Sequence, residues 1–197
     1  METQTILGQL TPGNCIFILV NYQTKLAFTI NSKDLPTLID NAVHLAKIAR
    51  SFEIPLILTT IGAETFGGPL LSPLRSAFPD QDPINCNKLS IGENRRISAE
   101  MKRIARKKLV MAGLWTNFTV ALSAIQALQA GYEVFIVSDA CAELSDTDND
   151  MAVQRMIEAG AVPLDCSRIL LHFQIDEPSK CKSPLTSDLI LETNLSS

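Results

Sequence analysis

The sequence is poor in charged and aromatic residues, and it contains no long apolar run. Charged residues make up 19% of its 197 residues and aromatic residues 6%, against 46% hydrophobic residues. No apolar stretch approaches the ~20 residues of a membrane-spanning helix, and the first residues lack the basic and apolar regions of a signal peptide. The net charge of −4 gives no attraction to nucleic acid or to an anionic membrane. We therefore predict a globular protein with neither kind of partner.

Histidines and cysteines are too few and too scattered to form a recognisable metal site. The two histidines, His44 and His172, lie far apart in the sequence and cannot supply a metal-binding triad. The five cysteines are an odd number without the paired CxxC motif of a zinc site: Cys15, Cys86, Cys141, Cys166 and Cys181. This usage predicts reduced thiols in the cytoplasm. No cofactor and no metal are expected.

Apolar runs of strand length alternate with segments of helical periodicity. The runs lie at residues 15–21, 55–60, 109–113, 133–139 and 161–165. Their alternation with helices predicts an α/β fold with three α/β/α layers and a Rossmann-like, mostly parallel sheet of about six strands. The length fits one domain. We assign residues 1–177 to this domain and residues 178–197 to a loosely held C-terminal tail.

Polar residues follow several of these strands. Asn21 ends the first strand, residues 116–119 follow the fourth, and Ser138 and Asp139 end the fifth. Ligands of open parallel sheets bind outside the carboxyl ends of the strands. Lys88 lies in the segment before a basic helix at about residues 95–106, and it could reach the same edge. From position alone, these residues could equally well cap helices.

Five motifs occur in an order that is typical of one enzyme superfamily. They are Ile18-Leu-Val-Asn-Tyr-Gln, Ile57-Leu-Thr-Thr, Gly68-Pro-Leu with Phe78-Pro-Asp, Gly113-Leu-Trp-Thr-Asn-Phe-Thr-Val, and Ala130-Gly-Tyr-Glu-Val-Phe-Ile-Val-Ser-Asp-Ala. The chain resembles the isochorismatase-like cysteine hydrolases from about residue 14 to about residue 175, and within them the YcaC branch. The resemblance implies the isochorismatase-like hydrolase fold. It implies no single reaction, because the superfamily includes nicotinamidases, carbamoylsarcosine amidases and isochorismatases.

The resemblance also implies which residues occupy the catalytic positions. Active members carry an Asp–Lys–Cys triad, and this sequence has Asn21 at the Asp position and Thr119 at the Cys position. Lys88 is the expected basic residue. The turn at Trp115 and Thr116 resembles the family's oxyanion hole, where a non-proline cis peptide is common. Gln23 and Phe118 are expected to belong to the same pocket.

The two replacements remove the thiol nucleophile and the acidic residue on which the family's reaction depends. A cysteine thiol, with a pKa of about 8.5, reacts as its thiolate, whereas a threonine hydroxyl must lose its proton to a base as it attacks. Asn21 is no base, because an amide neither accepts nor releases a proton near neutral pH. Losing general-base help alone typically slows a reaction by about 10²–10⁴-fold.

Three functional hypotheses follow from the sequence. In the first, the cysteine hydrolase activity is lost or very low, and the chain keeps a small-molecule pocket or acts as an oligomer. In the second, a neutral Lys88 activates Thr119 to hydrolyse an amide, imide or ester. In the third, the nucleophile is elsewhere, with Cys141 the first candidate. Family relatives form tetramers or octamers, so self-association is expected here as well.

Overall fold

The computed structural model describes residues 9–176, with side chains to residue 173. The predicted C-terminal tail, residues 178–197, and Cys181 lie outside the described residues. In the described part of the chain, no helix is long and apolar enough to cross a membrane.

A six-stranded parallel sheet forms the centre of the domain. Its strands are β1 (Cys15–Val20), β2 (Leu56–Ile61), β3 (Ile84–Cys86), β4 (Lys108–Gly113), β5 (Glu133–Val137) and β6 (Val162–Leu164). They are ordered β3-β2-β1-β4-β5-β6, and all pairs are parallel. The chain reverses its direction of winding between β3 and β4, so the neighbouring strands β1 and β4 mark the switch point where such sheets bind ligands.

Helices cover both faces of this sheet. They are α1 (Thr24–Ala27), α2 (Leu35–Ser51), α3 (Ser72–Ala77), α4 (Arg95–Ile104), α5 (Ala121–Gln129), α6 (Asp146–Glu158) and α7 (Cys166–Asp176). Helix α2 packs with α3 and α7, and α5 packs with α6. The predicted three-layer α/β architecture is confirmed.

Helix α2 shows how the sequence sets these elements. Asp34 caps its N-terminus by accepting a hydrogen bond from the Thr37 amide, and Pro36 lies in the first turn, where its missing N–H costs no helical hydrogen bond. Its buried residues recur at helical spacing, among them Leu38, Ala42 and Leu45. One apolar face therefore packs on the sheet.

The core continues through the central strands. All six residues of β1 are buried, as expected for a strand covered on both faces. The Phe17 ring lies 6.2 Å from Phe173 of α7, and Phe52 lies 5.5 Å from the same ring. These aromatic contacts hold the last described helix against the sheet.

The structure refines two predicted boundaries. The basic helix ends at Ile104 rather than near residue 106, because Ala105 takes a left-handed conformation with φ 58°. The edge strand β3 has only three residues. A run that short gives no hydrophobic pattern to identify it.

Candidate functional site

The ends of β1 and β4 lie side by side at the switch point, and both continue in a strained conformation. The Leu114 amide donates to the Val20 carbonyl at 3.1 Å. The residues that follow, Asn21 and Trp115, both have φ 57°. Asn tolerates this left-handed region, whereas for Trp it is unusual and costs energy. Strain of this kind concentrates at functional sites.

Gly113, the last residue of β4, is needed for this close approach. A Cβ atom at this position would lie 2.3 Å from the Val20 carbonyl oxygen, which is backbone and cannot move aside. The strand ends therefore meet at a spacing that only glycine permits.

After β4 the chain forms a π-helical turn, Thr116–Val120, that leads into α5. Turns of this type are rare and occur frequently at functional sites. Thr119 lies in the turn and is fully buried. Its hydroxyl lies 2.8 Å from the Leu114 carbonyl oxygen and 3.1 Å from that of Trp115. The hydroxyl proton is thus directed at backbone acceptors, neither of which is a base.

Asn21 is also held in place by hydrogen bonds. Its side chain is 2% exposed, and its Oδ1 atom accepts a hydrogen bond from the Thr59 hydroxyl at 3.4 Å. The backbone N–H of Asn21 donates to the Thr59 carbonyl at 3.1 Å. Both the side chain and the backbone of Asn21 are therefore hydrogen-bonded to β2.

Lys88 lies between β3 and α4 and points to an acidic partner. Its Nζ atom is 2.6 Å from Glu93 Oε2, and its side chain is 65% exposed. The hydrogen bond and the positive charge of Lys88 hold the pKa of the Glu93 carboxyl below its usual range. The structure thus places Asn21 directly after β1 and Thr119 in the turn that follows the neighbouring strand β4, while the Lys88 ammonium group is paired with Glu93.

Two predicted pocket residues have structural hydrogen bonds. Gln23 is fully buried; its Nε2 donates to the carbonyls of Ile61 and Gly68, and its Oε1 accepts from the Ile61 amide. Thr116 is also fully buried, and its hydroxyl donates to Asn149 Oδ1 at 2.8 Å. Gln23 thereby joins the end of β1 to the loop after β2, and Thr116 joins the π-helical turn to α6.

The other two predicted pocket residues belong to a row of aromatic rings. The Trp115 indole lies 6.3 Å from Phe66 in a stacked arrangement and 6.4 Å from Phe118 edge-on. The Trp115 Nε1 donates to the Thr29 hydroxyl at 3.0 Å. Peptide bonds between residues 9 and 176 are all trans, so the family's cis peptide is not reproduced at this turn. Phe66 is a neighbour of this turn that the sequence analysis did not identify.

A cavity of about 880 Å³ opens beside Lys88. Its apolar wall includes Ile61, Phe66 and Leu122, and its charged residues are Glu64, Lys88 and Glu93. Asn21 and Thr119 are not among the described residues that line it. The volume suits a small molecule.

Glu143 is a buried carboxylate that the sequence analysis missed. It is 1% exposed; its Oε2 accepts from the Asn117 amide at 2.8 Å, and its Oε1 accepts from the Leu144 amide at 3.0 Å. It therefore caps the π-helical turn from the loop after β5. Glu143 precedes an acidic stretch with a helix-starting pattern, which gave no signal that one carboxylate would point inward.

The described cysteines are buried, free thiols: Cys15, Cys86, Cys141 and Cys166. Burial raises the pKa of Cys141, and likewise that of Cys15, to about 12. A thiol of this kind is protonated at neutral pH and is a poor nucleophile. Among residues 9–176, His, Cys, Asp and Glu side chains form no group of three or more that could hold a metal ion.

Comparison with known proteins shows the family of the chain. Residues 15–167 match the family model described as Isochorismatase domain. The chain is 29% identical over 154 residues to the probable hydrolase YcaC of Escherichia coli K12, covering 78% of this chain and 74% of that protein.

Solved structures agree with this match. YcaC from Pseudomonas aeruginosa, whose structure contains hexane-2,5-diol and covalent acrylamide, superposes with a TM-score of 0.85 at 26% identity, covering 95% of this chain and 98% of that one. The E. coli YcaC gene product, an octameric hydrolase of unknown specificity, superposes with a TM-score of 0.82 at 24% identity, covering 96% and 98%. At that lower identity the likeness concerns the fold alone.

Proposed function

Because the chain belongs to the isochorismatase family, we propose that it is a member that has lost standard cysteine hydrolase activity and has kept a small-molecule pocket. The triad positions are Asn21, Lys88 and Thr119. In this proposal the first and the last no longer carry out the family's chemistry.

One observation supports this proposal most directly. The Thr119 hydroxyl is buried and bonded to the carbonyls of Leu114 and Trp115. An alcohol needs a base within hydrogen-bond reach to act as a nucleophile. Carbonyl oxygens take up no proton near neutral pH, so these contacts support a structural role for the hydroxyl.

An alternative is an active hydrolase of a C–N amide, imide or ester bond that uses Thr119 with a neutral Lys88. This alternative needs an unpaired, desolvated lysine beside the hydroxyl. The 2.6 Å contact of Lys88 with Glu93 and its 65% exposed side chain argue against it. The third hypothesis, with Cys141 as nucleophile, is opposed by the complete burial and raised pKa of that thiol.

Turnover on a panel of amides, imides and esters distinguishes these three hypotheses. We expect no turnover by the parent chain beyond that of the Thr119→Val variant. Turnover that disappears in Thr119→Val would establish the alternative, and turnover that disappears in Cys141→Ser would establish the third hypothesis. An Asn21→Asp, Thr119→Cys double variant tests whether the scaffold still supports the family's chemistry, and we expect it to gain activity.

We also propose that the chain self-associates into a tetramer or octamer. The E. coli YcaC structure is octameric, and the exposed large apolar side chains of the described residues include Phe28 (86%), Phe118 (47%), Leu144 (43%) and Met151 (66%). The hydrogen bond from the Asn117 amide to Glu143 joins the segments that carry Phe118 and Leu144. The hydrogen bond from Trp115 to Thr29 joins the segment that carries Phe28 to the same turn. Exposed apolar surface of this kind is typical of interfaces.

Light scattering coupled to size-exclusion chromatography measures the assembly. We expect an oligomer for the parent chain and smaller species for Phe28→Ser and Phe118→Ser. The matched control is Leu171→Ser, an exposed apolar residue of α7. A monomeric parent chain would contradict the proposal.

Two further features belong to this proposal. We assign the functional domain to residues 1–177, an assignment supported by the family match over 15–167. We place the protein in the cytoplasm, which is supported by the unpaired thiols of the described cysteines.

A further inference from the structure

We propose that the cavity beside Lys88 takes a small organic cation, an ammonium group on a flat apolar body, and that it discriminates against anions. This inference rests on the proposed function, because it assigns a ligand class to the retained pocket. It follows from how the charges of the site are paired.

The cationic side chain of the cavity is already paired with a carboxylate. Lys88 is the one cationic side chain among the described residues that line the cavity. Its Nζ atom is 2.6 Å from Glu93 Oε2, and Glu93 lines the same cavity. An incoming carboxylate or phosphate would have to compete with Glu93 for the ammonium group.

The remaining charge in the cavity is negative. Glu64 is exposed, lines the cavity, and has no hydrogen-bond or ion-pair partner among residues 9–176. The Nζ atom of Lys25 in α1 donates to the Thr65 carbonyl at 2.7 Å, and Lys25 is not a lining residue. Glu64 is therefore available to an ammonium group of a ligand.

An aromatic face lies two residues from this carboxylate. The Phe66 ring is 51% exposed and is supported from behind by Trp115, stacked at 6.3 Å. A cation near such a ring is attracted by its quadrupole, and a flat apolar body can stack on it. Ile61 and Leu122 extend the apolar wall. Carboxylate and ring together select an organic ammonium ion.

Three probes that share a phenyl ring and differ in the charge of the attached group test the proposal. Benzylamine, benzyl alcohol and benzoate are titrated at neutral pH into the full chain, and binding is followed by amide chemical shifts. We expect benzylamine to bind about tenfold more tightly than benzoate, a difference of about 1.4 kcal/mol. The shifts should lie in residues 61–66, 85–93 and 122–126.

Two substitutions test which side chains cause the preference for benzylamine over benzoate. In Glu64→Gln, benzylamine should lose most of its advantage, whereas the matched control Asp150→Asn, an exposed carboxylate of α6, should retain it. In Glu93→Gln, Lys88 loses its partner, so benzoate should bind more tightly than to the parent chain.

The outcomes separate this inference from the proposed function. Benzoate or benzyl alcohol binding as tightly as benzylamine, or a Glu64→Gln variant with unchanged selectivity, would overturn the ligand class and leave the pocket intact. If none of the three probes binds at millimolar concentration, the retained pocket itself is refuted, and the ligand class with it.

Discussion

At the scale of single residues, the site combines side chains of suitable size with unsuitable chemistry. Asn21 has the shape of an aspartate and tolerates the left-handed φ of 57° at the end of β1. Thr119 fits the volume of a cysteine inside the π-helical turn. Both side chains are buried, and neither can carry the charge that proton transfer or nucleophilic attack requires.

The cysteines allow a first prediction at this scale. With a pKa of about 12, the Cys141 thiol should contain roughly a thousandfold less thiolate at pH 8 than a thiol of pKa about 9. In a Cys181→Ser variant, we expect Cys141 and Cys15 to resist alkylation by iodoacetamide under native conditions and to react in denaturant. Rapid native alkylation of Cys141, identified by peptide mass spectrometry, would contradict this expectation.

The pair formed by Lys88 and Glu93 gives a second prediction. The pKa of Glu93 is lowered by Lys88, so the pair stabilises the folded state above the unfolded-state pKa of Glu93, and this contribution is lost as the pH falls through the folded-state pKa. In Lys88→Met the Glu93 pKa should rise toward its usual value, as measured by NMR titration of the carboxyl carbon.

The control for this titration is Lys102→Met, an exposed lysine on α4. It should leave the Glu93 pKa unchanged. Because both side chains of the pair are largely exposed, the effect on global stability should be small. An unchanged Glu93 pKa in Lys88→Met would show that the pair is not formed in solution.

At the scale of structural elements, the π-helical turn depends on contacts from the opposite side of the site. Glu143 holds the Asn117 amide, Asn149 accepts from Thr116, and the Thr116 amide donates to the Ala142 carbonyl at 3.2 Å. The turn is therefore fixed by the loop after β5 and by α6. We infer that these contacts hold Thr119 in its buried position.

Glu143→Ala tests this dependence. It leaves two amides without their acceptor in a buried location, which should lower the free energy of unfolding by about 1–3 kcal/mol. Urea denaturation measures the change, and Asp150→Ala, at an exposed acidic position in α6, should remain within about 0.5 kcal/mol of the parent chain. Equal stability of the two variants would mean that Glu143 does not support the turn.

The elements differ in how well the sequence predicts them. The long buried strands and α2 follow from hydrophobic periodicity and caps, and the structure confirms them. The π-helical turn, the inward direction of Glu143 and the pairing of Lys88 with Glu93 depend on contacts between distant segments. A sequence pattern does not record such contacts, so the sequence predicts Asn21, Lys88 and Thr119 as triad positions and does not predict their hydrogen-bond and ion-pair partners.

At the scale of the whole molecule, the residues that form the fold are different from those at the proposed catalytic positions. The parallel sheet, its order and its switch point come from buried apolar residues and from Gly113, none of which takes part in a reaction. Folding therefore places no requirement on a thiol at position 119 or a carboxylate at position 21. The proposed loss of activity is therefore compatible with an intact family fold.

Trapping of an acyl-enzyme shows whether Thr119 acts as a nucleophile. The parent chain is incubated with p-nitrophenyl acetate, quenched in acid, and examined by intact-mass and peptide mass spectrometry. We predict no acetyl group on Thr119, and the same set of acetylated residues in the parent chain and in Thr119→Val. If Thr119 were acetylated faster than surface threonines, this result would contradict the proposed structural role of its hydroxyl.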